Sequence, residues 1–260
     1  MSGPADAQPD SQVLVLRPQP GADETVALLR RHGIAAVALP LLDIEALAPS
    51  PAARATVQRL DEFDRILFTS PAAVRHGLAL IDAFWPQYPL RPLWLAVGAR
   101  TRALLADAGI KALAPPDDES AEGLLGLDAM QVPELRKVLL VRGEGGRDII
   151  ASTLAARGVR VEHLVVYRRR ARQAALPAPA RISALVASSG DVVDALLAND
   201  GLRLSDRPLI VPSERVATRA REAGFERVKV AHGAGGEATH RALLGVGMGG
   251  GDVKDKGAEA

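Results

Sequence analysis

Three segments of this chain occur twice in the same order, and this repetition constrains the fold more than any single motif. VLVLRPQPGADETVALLRRHGI resembles VLLVRGEGGRDIIASTLAARGV, which aligns Arg17 with Arg142 at a shift of 125 residues (142 − 17). ILFTSPAAVRHGLAL resembles ALVASSGDVVDALLA, aligning Ser70 with Ser189, and PLWLAVGARTRALLADAGI resembles PLIVPSERVATRAREAGF. A long-range repeat of this kind indicates an internal duplication. The alternative to duplication is that the segments converged independently on a common strand-turn-helix pattern.

Each repeated segment predicts a buried strand, a short turn and a helix. Short apolar runs of mostly β-branched and leucine residues predict the strands, and longer amphipathic stretches that end at glycine predict the helices. Ser70 and Pro71 suit the N-cap and the first position of a helix. The predicted strands cover residues 13–16, 66–68, 93–97, 138–141, 184–187 and 209–211. This alternation favours an α/β fold with parallel sheets.

The composition excludes several classes of protein. The chain has 260 residues, enough for one large or two modest domains. It has no cysteine, which excludes disulfides, thiolate zinc sites and thiol nucleophiles. A net charge of +1 argues against a nucleic-acid partner. No signal peptide or membrane segment is recognisable, so a cytoplasmic location without a membrane partner is expected. Residues 1–11 and 245–260 are expected to be disordered tails.

Most local motifs have ordinary structural explanations. The Gly143–Arg147 loop lacks the spacing of a Walker or dinucleotide motif, and a flexible turn is as good an interpretation as an anion cradle. The five histidines show no metal-ligand spacing, so surface positions are expected and no metal is predicted. No Gly-x-Ser-x-Gly elbow is present. The run Arg168–Arg170 is interpreted as a solvated face rather than a binding patch.

The strand ends nominate a set of loops for ligand binding. In parallel α/β sheets, ligands bind beyond the carboxyl ends of the strands, where helix N-termini present N–H groups that favour anions. Two related halves normally form a cleft between them, and we expect the ligand there. The nominated loops lie around Arg17, Ser70, Gly98, Arg142, Ser189 and Ser213. From the residues alone, the chain is a two-domain α/β protein that suits an anionic ligand.

Four segments together resemble the uroporphyrinogen-III synthase family. LRPQPGADETVALLRRHGI is similar to that family's opening segment, and FDRILFTSPAAV to its strand that ends in Phe-Thr-Ser. AVGARTRALLADAGI resembles the family's Ala-Val-Gly element, and VLLVRGEGGRDIIASTLAARGVRVEHLVVYRR its Arg-Gly-x-x-Gly-Arg segment with the tyrosine beyond it. The resemblance runs from about residue 13 to residue 244. It depends on the order and spacing of the motifs, because no single one is specific.

The resemblance implies two similar parallel-sheet α/β domains with exchanged segments, joined by a two-stranded hinge. One domain would comprise residues 12–35 and 173–244, and the other residues 47–160. Residues 36–46 and 161–172 would be the extended connectors.

The resemblance also implies the reaction. The family's substrate, hydroxymethylbilane, carries acetate and propionate arms and a terminal hydroxymethyl group. Loss of water gives an azafulvene, ring D attacks it through a substituted carbon, and the resulting spiro intermediate rearranges to uroporphyrinogen III with ring D inverted. Catalysis would consist mainly of positioning, without a cofactor. The product would enter tetrapyrrole biosynthesis, toward heme or siroheme.

Candidate site residues follow from the matched motifs. Tyr167 would be catalytic, as a donor to the departing hydroxyl. The candidates for substrate binding are Arg17, Thr69, Ser70, Gly98, Thr101, Arg142, Gly143, Arg147, Ser188, Ser189, Ser213 and Arg215. Surface salt bridges are an equally good explanation for the arginines.

The last repeat departs from the family pattern, because Val216 occupies a position where members often carry threonine. Ser213 or Arg215 could replace that contact. The expected assembly is a monomer that makes at most a transient contact with the enzyme supplying its substrate. A hinged two-domain binding or regulatory protein without catalysis remains the alternative, and a tight complex without turnover would favour it.

Overall fold

A computed structural model describes residues 11–116, 119–146 and 148–248. The chain divides into two compact units. Unit 1 contains the described residues up to Asp43 and those from Arg170 onward. Unit 2 contains the described residues from Ile44 to Arg169. The middle of the chain therefore forms one unit, and both outer parts form the other.

Strands and helices alternate through the described residues. In chain order the strands are β1 (Gln12–Val15), β2 (Ala36–Ala38), β3 (Leu42–Ala46), β4 (Arg65–Phe68), β5 (Leu93–Ala96), β6 (Ala112–Leu113), β7 (Lys137–Gly143), β8 (Arg160–Ala171), β9 (Ile182–Val186), β10 (Leu209–Val211) and β11 (Val228–Val230). The helices are α1 (Gly21–Arg31), α2 (Pro51–Val57), α3 (Pro71–Ile81), α4 (Ala99–Asp107), α5 (Ala121–Leu125), α6 (Ile149–Ala156), α7 (Gly190–Ala198), α8 (Glu214–Glu222) and α9 (Gly236–Leu244).

Each unit is built around one sheet. Within the described residues, the sheet of unit 1 has the order β11-β10-β9-β1-β2, and all its pairs are parallel. The sheet that begins with β3 has the order β3-β8-β7-β4-β5-β6, and its strands β4 to β8 pair in parallel. The predicted fold class, two similar parallel-sheet α/β domains with exchanged segments, is confirmed.

Both faces of each central strand are covered, which explains the continuous apolar runs of the sequence. In β4, Ile66 and Phe68 join one hydrophobic cluster and Leu67 joins another. In unit 1, Leu14 points into one cluster, whereas Val13 belongs to the cluster on the opposite face. Alternate residues of a strand point to opposite faces, so a strand buried on both faces has no room for polar positions.

Local chemistry sets where the helices begin and end. The Ser70 Oγ accepts a hydrogen bond from the Ala73 N–H at 3.1 Å, as predicted for an N-cap, and Pro71 opens the helix. Helix α1 is followed by Gly33, which adopts a φ of 73°. Helix α6 ends in the same way before Gly158, with a φ of 77°. Glycine carries no Cβ and reaches this left-handed region without strain, so both helices end where the sequence predicts.

The two segments predicted as extended connectors are strands. Residues 36–46 contain β2 and β3, and nearly all of residues 161–172 lie in β8. Val246 and Met248, placed in the tail by the sequence analysis, pack against the cluster that contains Leu243. The remaining tail positions, 1–10 and 249–260, lie outside the described residues. Among the described helices, none has the length and apolar character needed to cross a membrane.

Candidate functional site

Tyr167 lies in unit 2 at the carboxyl end of the sheet and makes two side-chain hydrogen bonds. Its ring is buried, with 1% of its surface exposed. The Tyr167 hydroxyl lies 3.1 Å from the Ser70 Oγ. The Arg169 guanidinium donates to the same phenol oxygen at 3.0 Å and lies 5.4 Å from the ring centroid. These contacts link the end of β4 with β8 through three side chains.

The hydrogen-bond partners indicate the direction of the donors in this network. The phenol oxygen accepts from Arg169, and the Ser70 Oγ accepts from the Ala73 N–H. Because the phenol is buried, its proton is satisfied when it is donated to Ser70. Ser70 is half-buried, so its own proton then remains available at the more accessible end of the chain of donors.

Gly143 provides the space in which the phenol lies. It pairs with Tyr167 in the parallel register between β7 and β8, next to an irregularity after Arg142. A Cβ built on Gly143 would lie 2.4 Å from the Tyr167 Cζ and 2.9 Å from the hydroxyl oxygen. Any side chain here would displace the ring. Gly143 was predicted to bind substrate, which stays a prediction; in the structure its missing side chain makes room for the Tyr167 ring.

His76 is a neighbour that the sequence analysis did not nominate. Its ring centroid lies 6.0 Å from that of Tyr167, at an interplanar angle of 37°. Burial lowers the pKa of His76 below its ordinary 6.5, and the adjacent Arg75 lowers it further. A neutral imidazole therefore lies beside the phenol near neutral pH.

The other predicted residues of unit 2 differ in their accessibility. Thr69 is half-buried, and its hydroxyl donates to the Val141 carbonyl at 3.3 Å. Thr101 lies in the first turn of α4, and its side chain is buried, with 3% of its surface exposed. Gly98 is the N-cap of α4, and a Cβ there would meet the Glu119 carboxylate at 2.7 Å. A carboxylate of the chain itself therefore lies at the helix end that was predicted to attract the substrate's carboxylates.

Arg142 is engaged within its own loop. Its Nη1 donates to the Asp148 carboxylate at 2.6 Å, and its Nη2 donates to the Gly145 carbonyl. The side chain is only 12% exposed. These contacts support a role in holding the loop after β7. Arg147 lies outside the described residues.

Arg17 of unit 1 holds its loop in a comparable way. Its Nη1 donates to the Thr25 hydroxyl at 3.0 Å and to the Ala234 carbonyl at 2.9 Å. A Cβ on Gly21 would lie 2.9 Å from the Arg17 Nε, so the glycine lets the guanidinium lie against the start of α1. Arg17 also lines a small hollow together with Ser188.

The serine-led helices of unit 1 repeat the pattern at Ser70. Ser189 is the N-cap of α7, and its Oγ accepts from the Val192 N–H at 3.4 Å. Ser213 is the N-cap of α8 without such a side-chain bond. The Arg215 side chain is exposed, and its Nη1 lies 4.0 Å from where a Cβ on Gly190 would be. Val216 is 1% exposed and belongs to the core, whereas Ser189 and Ser213 are half-buried and Arg215 is exposed.

Sequence reasoning missed Arg169, because it lies within a run that was interpreted as a solvated face. The structure divides that run: Arg168 pairs with Glu45 at 2.8 Å, whereas Arg169 contacts the phenol. The signal was the i, i+2 spacing of Tyr167 and Arg169 along an extended segment, which places both on one face of a strand. Nothing in the sequence pointed to Glu119, because only the folded chain brings its carboxylate next to Gly98.

The fold defines an α/β protein with two parallel-sheet units, and its loops present helix N-termini of the kind that bind anions. The family model described as "Uroporphyrinogen-III synthase HemD" matches residues 23–240. Two curated relatives are uroporphyrinogen-III synthases: that of Escherichia coli K12 is 34% identical and that of Salmonella typhimurium LT2 is 32% identical. Each alignment covers 89% of this chain and 99% of the relative. The chain belongs to the uroporphyrinogen-III synthase family.

Solved structures show the same fold. A mutant uroporphyrinogen III synthase from Thermus thermophilus aligns with a TM-score of 0.59 and 22% identity, over 90% of this chain and 99% of that one. A uroporphyrinogen-III synthetase from Helicobacter pylori 26695 aligns with a TM-score of 0.55 and 16% identity, over 91% and 99% of the two chains.

Proposed function

We propose that this chain cyclises hydroxymethylbilane to uroporphyrinogen III, and that the Tyr167–Ser70–Arg169 network supplies the proton that the departing hydroxyl requires. Family membership over most of the chain supports the activity. The observation that carries the assignment of residues is the pair of hydrogen bonds on the Tyr167 hydroxyl, at 3.1 Å and 3.0 Å.

The first step breaks the carbon–oxygen bond of the hydroxymethyl group. The pyrrole nitrogen supplies the electron pair that pushes the hydroxyl out, and the hydroxyl takes a proton from Ser70 as it leaves as water. Tyr167 returns a proton to Ser70, and Arg169 stabilises the phenol oxygen by its hydrogen bond. The pyrrole N–H proton is lost to solvent, and the Tyr167 phenolate takes up a proton from solvent, so the azafulvene and water form with no net change of charge.

The later steps require no nucleophile from the protein. The substituted carbon of ring D attacks the azafulvene, and the spiro intermediate opens and closes again to invert the ring. Holding the chain in one geometry decides which carbon attacks, and a well-oriented intramolecular reaction gains a large advantage over a freely moving one. The protein's task in these steps is to fix the carboxylate arms.

Helix N-termini and accessible cations are the groups we assign to those arms. In unit 2 they are Ser70 at the start of α3 and Thr69 before it. In unit 1 they are Ser188, Ser189, Ser213 and Arg215. First-turn N–H groups and the helix dipole favour carboxylates at such positions. Arg17 and Arg142 contribute indirectly. Their guanidinium groups hold the loops at the carboxyl ends of β1 and β7 by hydrogen bonds.

The experiment that tests the function is incubation of the purified chain with fresh hydroxymethylbilane. Type I and type III products are then separated by chromatography. We expect type III in excess, unchanged by chelators or by omitting nicotinamide and flavin cofactors. Only the type I isomer from folded protein would refute the proposal. Tight substrate binding without turnover would instead support a binding protein without catalysis.

We also propose that the chain is a cytoplasmic monomer. The exposed large apolar side chains in the described ranges lie on separate segments of the chain, as in Leu90, Leu113 and Leu202. Scattered apolar residues do not form the patch that a stable interface needs. Size-exclusion chromatography with light scattering should give a mass near 27.3 kDa, and a doubled mass would contradict the proposal.

A further inference from the structure

Two histidines and a glutamate from distant parts of the chain converge on the surface of unit 1. His32 follows the end of α1, and Glu237 and His240 lie one turn apart on α9. One potential ligand atom from each side chain lies within 4.8 Å of the other two. The imidazole rings of His32 and His240 stack with centroids 4.0 Å apart and an angle of 20° between their planes.

This cluster lies away from the residues assigned to the reaction. Arg17 contacts the start of α1, whereas His32 follows its last residue. A helix rises about 1.5 Å per residue, so the eleven residues of α1 separate the two ends by about 16 Å. The three side chains of the cluster are therefore different from those assigned to the reaction, although α9 begins just after Ala234, whose carbonyl accepts from Arg17.

Helix electrostatics explains each residue only in part. A glutamate in the first turn of α9 and a histidine at the end of α1 are each favoured by the helix dipole. That effect does not account for a second imidazole stacked on the first, with a carboxylate beside both.

The donor set matches a divalent metal of intermediate softness. Imidazole nitrogens with one carboxylate oxygen suit Zn²⁺, and three protein ligands with one open position are a common zinc arrangement. Glu237 and His240 have the i, i+3 spacing with which helices direct two ligands at one ion. Donor atoms around a tetrahedral zinc ion lie about 3.3 Å apart. His32 and Glu237 are exposed and His240 is half-exposed, so side-chain rotation can close the distances.

We propose that His32, Glu237 and His240 form a three-ligand Zn²⁺ site that fastens α9 to the end of α1. The two helices already pack through an apolar cluster that includes Val26, Leu29 and Leu243. A bound ion would link the two helices at the exposed edge of this apolar cluster. The exposed neighbours Arg31 and Arg241 carry like charge, which lowers the affinity. The site is independent of the proposed reaction.

The test is a zinc titration of the full-length, untagged chain by calorimetry after treatment with a chelator. We expect one zinc ion per chain, and a melting temperature that rises with zinc concentration as binding to the folded state requires. His32→Ala, His240→Ala and Glu237→Gln should each weaken zinc binding at least about tenfold. His163→Ala is the matched control, since His163 is an exposed histidine of unit 2.

Three outcomes would overturn the proposal. Saturable binding could be absent from the parent chain, binding could survive in the His32→Ala/His240→Ala double variant, or His163→Ala could abolish it. Circular dichroism of each variant in zinc-free buffer separates a lost ligand from a lost fold. Turnover of hydroxymethylbilane should be the same in parent and His240→Ala, so failure of the zinc site and failure of the proposed function are distinguishable.

Discussion

The ring of Tyr167 occupies the space that any side chain on Gly143 would need, with the Tyr167 Cζ 2.4 Å from where a Cβ would be. We predict that Gly143→Ala displaces the phenol and lowers kcat at least as much as loss of the hydroxyl does, on the order of tenfold or more. Overpacking should also cost about 1–3 kcal/mol of stability. Steady-state kinetics and urea unfolding measure the two effects.

Gly126→Ala is the matched control for this substitution. Gly126 follows α5 in unit 2 with a φ of −79°, and a Cβ there would meet its nearest neighbour at 3.4 Å. It should leave kcat unchanged. Parent-like turnover by Gly143→Ala would show that the phenol's position does not matter.

Tyr167→Phe keeps the ring and removes the donor. We predict a fall in kcat of about tenfold to a hundredfold, within the range of general-acid effects, with the product still type III. Tyr88→Phe is the control, because the Tyr88 hydroxyl donates to Asp82 at 2.7 Å in an exposed contact. Unchanged turnover by Tyr167→Phe would make Tyr167 a structural residue, and mostly type I product would mean that the phenol positions ring D.

Ser70→Ala tests whether the serine passes the proton on. The change removes an N-cap, which costs about 1 kcal/mol, and also removes the hydrogen bond to Tyr167. Ser120→Ala removes a comparable cap, the 3.0 Å bond from the Gly123 N–H, without touching the phenol. Both variants should lose similar stability, but only Ser70→Ala should lower kcat. Equal turnover by the two would exclude Ser70 from proton transfer.

Asp64 should make unit 2 more stable at neutral than at acid pH. Burial alone raises the pKa of Asp64, but backbone N–H groups of Arg136 and Lys137 donate to its carboxylate and, with Arg91 and Arg65, bring the pKa below 3.8. A lowered folded-state pKa gives stability that is present above the unfolded value and lost as pH falls through the folded value.

We therefore predict that Asp64→Asn lowers the free energy of unfolding at pH 7 by about 1–2 kcal/mol. The difference from the parent should shrink as the pH falls below about 3.8. Urea unfolding between pH 7 and pH 3 measures it, with the exposed Asp107→Asn as control. A difference that stays constant with pH would contradict the assignment.

The sequence predicted those parts of the fold that local chemistry determines. The β4 strand was visible because burial on both faces leaves a run of apolar residues. The Ser70 cap was visible because its partner lies three residues away. The extended course of β8 was expected from the resemblance, but the contact of Arg169 with Tyr167 was missed because three consecutive arginines are typical of a solvated face.

Contacts that depend on chain closure could not be predicted in the same way. Ser70 and Tyr167 are 97 residues apart, and only the pairing of β4, β7 and β8 brings them together. Tyr167 itself was nominated by family resemblance rather than by any local pattern. Arg17 and Arg142 were nominated as charges for a ligand, and the structure shows that neighbouring carbonyl, hydroxyl and carboxylate groups already engage them.

The interleaved strand order has a consequence for synthesis of the chain on the ribosome. In unit 1, β1 pairs with β9, and the partners Val13 and Ala184 lie 171 residues apart (184 − 13). Unit 2 is continuous in sequence, so all its strands are synthesised before β9. Domains fold as units while the chain grows. The nascent β1–α1–β2 segment must therefore wait, with an open apolar edge, until the last third of the protein has been made.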